Sequence, residues 1–258
     1  MPALTLNRRL IYTVSMEINE RIDDLQYKGL MLLQDDRVFR FGTDAVLLAG
    51  FCEAFPRETV VDFCTGTGVI PLLISKRTGA RVIGIELQPR AAALAKRNVE
   101  LNSMQDSVQM IEGNIKDAPC LIKSHVHAVT CNPPYERAGS GGLSVSEEIR
   151  IARHEIACTM DDVVKSASGL LQTGGRLYMV HKAKRMCELI YTMQKYSIEP
   201  KVVRLVMSTQ SKPPILVLIK GVKDAKPDCI VPEPLIIQNA DGSYTEEMDR
   251  IYHREHNG

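Results

Sequence analysis

From Thr59 onward the chain alternates short apolar runs with amphipathic stretches. Thr59 to Phe63, Arg81 to Glu86, Val108 to Ile111, His127 to Cys131 and Arg176 to Val180 are each four to six residues long and rich in Val and Ile. Runs of that length, apolar on both faces, predict buried strands. The stretches between them carry helical spacing: from the glycine turn to Lys76, from Pro89 to Leu101, from Asp161 to Leu171 with Gly174-Gly175 as the stop, and from Met186 to Tyr196. Pro89 suits a first helical turn, where its missing N–H costs nothing. Val202 to Val206 and Ile215 to Ile219 form a late pair joined by the short loop Ser208 to Pro214, which predicts a hairpin and one reversed strand. Repeated strand–helix units require crossover connections and hence a parallel sheet covered on both faces. The predicted architecture is α/β: a doubly wound, mostly parallel seven-stranded sheet.

Flanking segments complete the organisation. Residues 1–15 are expected to be a disordered extension, residues 16–226 a single domain with an N-terminal helical cap around Asp44 to Phe55, and residues 227–258 a strand-containing tail packed on that domain. Ala138-Gly139-Ser140-Gly141-Gly142 is expected to be a mobile lid. Among 258 residues no apolar run approaches the roughly 20 needed to cross a bilayer. The start lacks the long apolar region of a secretory signal. Seven cysteines are scattered with no C-x-x-C pair, which argues for reduced thiols in a cytoplasmic protein and against a disulfide framework or zinc site. The net charge of +1 conceals a basic segment: residues 174–226 hold 11 Lys/Arg against 3 Asp/Glu, whereas residues 227–258 hold 2 against 7. Such a segment suits a polyanion, or else is a solvated face balanced by the acidic tail.

Chemistry concentrates at predicted strand ends. Asp62-Phe63-Cys64-Thr65-Gly66-Thr67-Gly68 lies at a strand-to-helix junction, where glycines permit close backbone approach and a helix N-terminus offers N–H groups. Glu86 ends the next strand, where a carboxylate can hold two ribose hydroxyls. Pro71 replaces the third glycine of the dinucleotide fingerprint, so an adenosine ligand other than NAD fits better. Asn114 follows the third strand and can bond an adenine edge, or simply shape a loop. The fourth strand runs into Asn132-Pro133-Pro134-Tyr135. Two prolines remove two backbone donors and leave carbonyls free, Asn132 adds an acceptor, and Tyr135 adds a flat face. That set can accept hydrogen bonds from a planar amine while stacking its ring; the plainer reading is a rigid turn.

These motifs in this order resemble the class I S-adenosylmethionine-dependent methyltransferases of the Rossmann-like type. Further segments sharpen the likeness: Glu20-Arg21-Ile22-Asp23-Asp24-Leu25, Phe41-Gly42-Thr43-Asp44-Ala45-Val46-Leu47-Leu48, Ala152-Arg153-His154-Glu155 and Pro234-Leu235-Ile236. Together they resemble the bacterial tRNA adenine-N6 methyltransferases that modify a valine tRNA next to its anticodon, over about residues 17–250. The resemblance implies S-adenosylmethionine contacts from Thr43, Asp44, Asp62, Thr65, Gly66, Gly68, Glu86 and Asn114, with no metal. Cys64 stands where many methyltransferases have glycine, and Asn114 where Asp is common.

Catalysis then falls to Asn132, Pro133, Pro134 and Tyr135, with the base flipped out of its loop and stacked on Tyr135. Arg153-His154-Glu155 reads as a packing and capping run. Lys182, Lys184, Arg185, Lys201 and Arg204 are placed near the RNA backbone. The expected partner is tRNA, with no membrane and no obligate protein partner. The tetrapeptide is shared with guanine-amino and protein-glutamine methylators, but the latter normally carry a helical substrate domain before the fold. A non-catalytic adenosine- or RNA-binding module is the alternative from another class.

Overall fold

The structure, a computed structural model, describes residues 16–38, 40–134 and 158–252. Strands β3 (Thr59–Phe63), β4 (Arg81–Glu86), β5 (Val108–Glu112), β6 (Val126–Cys131) and β7 (Leu171–Lys182) run parallel, followed by β8 (Ile198–Met207), β9 (Pro214–Lys223) and β10 (Leu235–Ile236). The sheet order is β10-β8-β9-β7-β6-β3-β4-β5. Only β9 is reversed, pairing antiparallel with both β7 and β8. The seven-stranded doubly wound sheet is therefore present, and the tail adds β10 as a two-residue eighth strand parallel to β8.

Helices α1 (Thr43–Phe51), α2 (Val69–Thr78), α3 (Pro89–Leu101), α4 (Ala118–Leu121), α5 (Met160–Leu170), α6 (Met186–Lys195) and α7 (Glu246–Ile251) surround the sheet. Pro89 does occupy the first turn of α3. Thr159 caps α5 through a reciprocal box with Asp162. Two apolar layers flank the strands. Val60, Ala128, Tyr178 and Val180 face α1 and α2, whereas Val61, Val129, Leu177 and Met179 face α5 and α6. This alternation follows from successive side chains pointing to opposite faces.

Three local features differ from expectation. The segment before β3 contains a β hairpin as well as a helix: β1 (Glu20–Asp24) pairs with β2 (Met31–Asp35), and Asn98 of α3 and Asn102 just after that helix bond the β2 backbone. Glu20, Arg21, Asp23 and Asp24 are charged, which disguises the strand alternation around Ile22. Gly174-Gly175 does not separate helix from strand, because β7 already begins at Leu171. The extra residues bulge between the Val126–Leu171 and Ala128–Arg176 pairs, with Gly174 at φ +77°. Finally, α7 closes the tail over α1: Met248 is fully buried, and a Cβ on Gly50 would lie 3.3 Å from Ile251.

Candidate active site

Parallel strands bring their carboxyl ends to one edge of the sheet. Phe63 pairs with Ile85 and Cys131, and Glu86 with Glu112. The loops leaving these strands carry Cys64 to Gly68, Leu87, Gly113-Asn114 and Asn132-Pro133-Pro134. Neighbouring strands lie about 4.8 Å apart, so the four loops bound a single crevice.

Asp62 is wholly buried. Its carboxylate accepts the hydroxyls of Thr65 and Thr130, each at 2.6 Å. Burial pushes its pKa up to about 7 against those two stabilising bonds. Glu86 is 8% exposed and accepts the backbone N–H of Gly66 at 2.8 Å and of Gln88 at 2.9 Å. Burial also raises its pKa. No Lys or Arg among the described residues pairs with either carboxylate. Two buried acids supported only by neutral donors suit hydroxyl or cationic groups arriving from outside.

The glycines between them are required by geometry. Gly68 sits at φ +86°, and a Cβ there would fall 2.7 Å from Met110 Cε. Gly66 sits at φ +57°, and a Cβ there would meet nothing within 4 Å. Gly68 therefore lets α2 pack closely, whereas Gly66 opens onto space beside Glu86. Leu87, 39% exposed and next to Glu86, offers an apolar face to a planar ring. Asn114 Oδ1 accepts the Lys116 N–H and starts a 3-10 turn, leaving the amide nitrogen as the group able to meet a ligand acceptor. The chemistry of this set fits an adenosine moiety: a carboxylate for hydroxyls, an amide for a ring edge and an apolar side chain for a ring face.

Cys64 adopts φ +56°, a left-handed conformation that glycine takes more readily. Its sulfur lies 3.6 Å from that of Cys158; the Cys131 thiol and burial push the Cys64 thiol up, and the Cys64 thiol and burial push Cys158 up. Thr43 and Asp44 open α1, where Asp44 Oδ1 accepts the Ala45 N–H.

Asn132 follows β6 directly, with Pro133 buried and Pro134 half-buried, and no peptide bond among the described residues is cis. Tyr135, His154, Glu155 and the 138–142 stretch lie outside the described residues.

The basic residues separate. Lys182 ends β7, so it and the turn Ala183–Arg185 lie at the same edge as Asn132. Arg185 pairs with Glu188 at 2.5 Å, whereas Lys184 is exposed. Lys201 sits near the start of β8, toward the opposite edge, and donates to the Lys226 carbonyl at 3.2 Å. Arg204 is clasped by Glu247 through two bonds of 2.7 and 2.8 Å. Lys212, in the β8–β9 turn, is exposed at the edge shared with Asn132.

Sequence reasoning passed over Thr130, Leu87, Lys212 and Gly84. Gly84 leaves the room that Thr65 fills, since a Cβ there would lie 2.9 Å from Thr65 Oγ1. Only Thr130 carried a readable signal, a hydroxyl in a mostly apolar strand two residues before Asn132.

The model of the methyltransferase small domain matches residues 39–202. The chain belongs to that family. A tRNA1(Val) (adenine(37)-N6)-methyltransferase of Porphyromonas gingivalis is 28% identical over 240 residues, covering 89% of this chain and 93% of the relative. An enzyme with the same name from Shewanella sediminis is 27% identical, covering 80% and 87%. Among solved structures, a predicted O-methyltransferase from Agrobacterium tumefaciens superposes with a TM-score of 0.66 at 20% identity, over 81% of this chain and 95% of that one. A geranyl diphosphate C-methyltransferase from Streptomyces coelicolor, solved with S-adenosyl-L-homocysteine, gives 0.51 at 16%, over 70% and 78%. At those identities the structural likeness shows the fold.

Proposed function

We propose that this methyltransferase uses S-adenosylmethionine to methylate the exocyclic N6 of an adenine in tRNA, at the position named in its Porphyromonas and Shewanella relatives, adenine 37 of a valine tRNA. The observation that carries this reading is that the loops of Gly66, Glu86 and Asn114 leave the same sheet edge as Asn132-Pro133-Pro134, on adjoining strand ends.

S-adenosylmethionine, when bound, supplies a sulfonium methyl, and its transfer breaks the C–S bond with the electron pair staying on sulfur. Glu86 would hold the ribose hydroxyls, Asn114 the adenine edge, and the Thr65–Gly68 loop, held by Asp62, the amino-acid end together with Thr43 and Asp44. The target nitrogen is a weak nucleophile because its lone pair is delocalised into the ring. The Asn132 side-chain oxygen and the Pro133 carbonyl accept hydrogen bonds from its two N–H groups and so turn that lone pair toward the methyl group. Tyr135 stacks on the flipped base. Positioning supplies most of the acceleration, and the surplus proton passes to solvent.

Lys182, Lys184 and Arg185 contact the RNA backbone at the catalytic edge, joined there by Lys212. Lys201 and Arg204 serve the fold, one tied to a backbone carbonyl and the other to α7.

The deciding experiment compares tRNA nucleosides by mass spectrometry in cells with the wild-type chain, without it, and with Asn132→Ala. N6-methyladenosine should appear only with the wild type. Methylation that survives Asn132→Ala sinks the mechanism. A methyl group found on guanine instead would favour the guanine-amino alternative.

A further inference from the structure

Thr130 lies on β6 between Val129 and Cys131, both fully buried apolar residues, and is itself fully buried. Valine has the same shape and an equal liking for strands, so packing alone gives no reason for a hydroxyl here. A buried hydroxyl must be bonded, and this one donates to Asp62 Oδ1 at 2.6 Å across the β3–β6 pairing in which Asp62 and Thr130 are direct partners. The other oxygen of Asp62 accepts Thr65 Oγ1, also at 2.6 Å. Thr65 in turn donates its N–H to the Ile85 carbonyl at 3.1 Å, one residue before Glu86. A continuous set of bonds thus joins β6, β3 and β4 immediately beneath the crevice. Thr130 lies two residues before Asn132, which leaves the same strand end, so the bond lies close beneath the amine-accepting loop.

We propose that Thr130 is a positioning residue, whose hydroxyl locks the Asp62 carboxylate to the strand carrying Asn132 and so sets the cofactor and the target base in register. This rests on the functional reading above. Asp62 is fully buried, so it acts on the cofactor through the Thr65–Gly68 loop that its other oxygen holds at Thr65. Removing the Thr130 hydroxyl leaves one oxygen of a buried carboxylate short of a donor and free to rotate, which disturbs both halves of the site.

The test uses the full-length chain with Thr130→Val, Thr130→Ala and Thr130→Ser. S-adenosylmethionine affinity is measured by calorimetry, the methylation rate of tRNA at saturating cofactor by single turnover, and folding by melting temperature. Val and Ala should each weaken cofactor binding about tenfold and slow the saturated rate by a similar factor. Ser should stay within about threefold of wild type on both. Equal behaviour of Val and wild type overturns the proposal, as does a Ser variant as impaired as Val, which would mark a packing role. If Val melts early, Ala carries the comparison, and its loss must exceed that of Ser. A wild-type chain that binds no S-adenosylmethionine fails at the functional reading itself, a result distinct from wild-type binding with unchanged Thr130→Val.

Discussion

The two edges of the central sheet treat charge in opposite ways. At the edge where the parallel strands begin, partly buried cations find partners inside the molecule. Arg176 meets Glu58 at 2.6 Å with its guanidinium over the Phe55 ring, and Lys223 donates to the Leu171 carbonyl at 3.1 Å. At the edge where those strands end, Asp62 and Glu86 are buried with neutral donors alone, and Cys64, Gly66 and Gly68 hold left-handed backbone. The first arrangement stabilises the chain by itself. The second costs stability until a ligand completes it, which is the usual compromise of a binding site.

Replacing Asn132 by Ala should have the largest effect, a loss of methylation of at least about a thousandfold with S-adenosylmethionine affinity held within about twofold, since the amide acts on the acceptor nitrogen alone. Radiolabelled methyl transfer together with calorimetry separates the two quantities.

Asp62→Asn comes next and tests the asymmetry directly. Burial lifts the Asp62 pKa from 3.8 to about 7, so the folded chain holds this proton more tightly than the unfolded one. The resulting stability is complete below the unfolded pKa and is lost as pH rises through 7, a difference of order 4 kcal/mol. Asparagine imitates the neutral acid. At pH 8 the variant should therefore melt higher than wild type while binding S-adenosylmethionine at least about tenfold more weakly. A lower melting temperature at pH 8 would contradict the idea of a stored cost.

The opposite edge should respond in the opposite sense. Glu58→Ala leaves the partly buried Arg176 without its partner and should lower stability by about 1–3 kcal/mol in denaturant titration, with methylation unchanged at a temperature where the variant is folded. The smallest effect belongs to the rim. Lys184→Ala combined with Lys212→Ala should raise the KM for tRNA several-fold and reduce the salt dependence of binding by about two phosphate contacts. Lys201→Ala should leave that dependence unaltered, and a reduced salt slope would return Lys201 to the RNA surface.

How legible each part was depended on the range of the interaction behind it. Pro89 marked its helix start because its effect is confined to its own backbone. Gly174-Gly175 misled for the converse reason: whether a glycine pair stops a helix or bulges a strand depends on the neighbouring strand β6, about 45 residues earlier in the chain. The β1–β2 hairpin was hidden because its buried face rests on α3, and nothing nearby in sequence announces Asn98 as a partner for the β2 backbone. Within the basic segment composition showed a surplus of cations but not their disposition. Arg204 is engaged by Glu247, a residue of the acidic tail 43 positions later.

Strand and helix order, the parallel core with its late reversed strand, and the motifs at the strand ends were determined by the sequence itself. Apolar periodicity and turn chemistry act over a few residues, and a handedness rule then limits how such units can connect. Tertiary structure decided which of those ends share a crevice, that Thr130 grips Asp62, and which lysines remain at the catalytic edge. Those outcomes are settled by strand register and by competition among distant charges, quantities that no local window of residues contains.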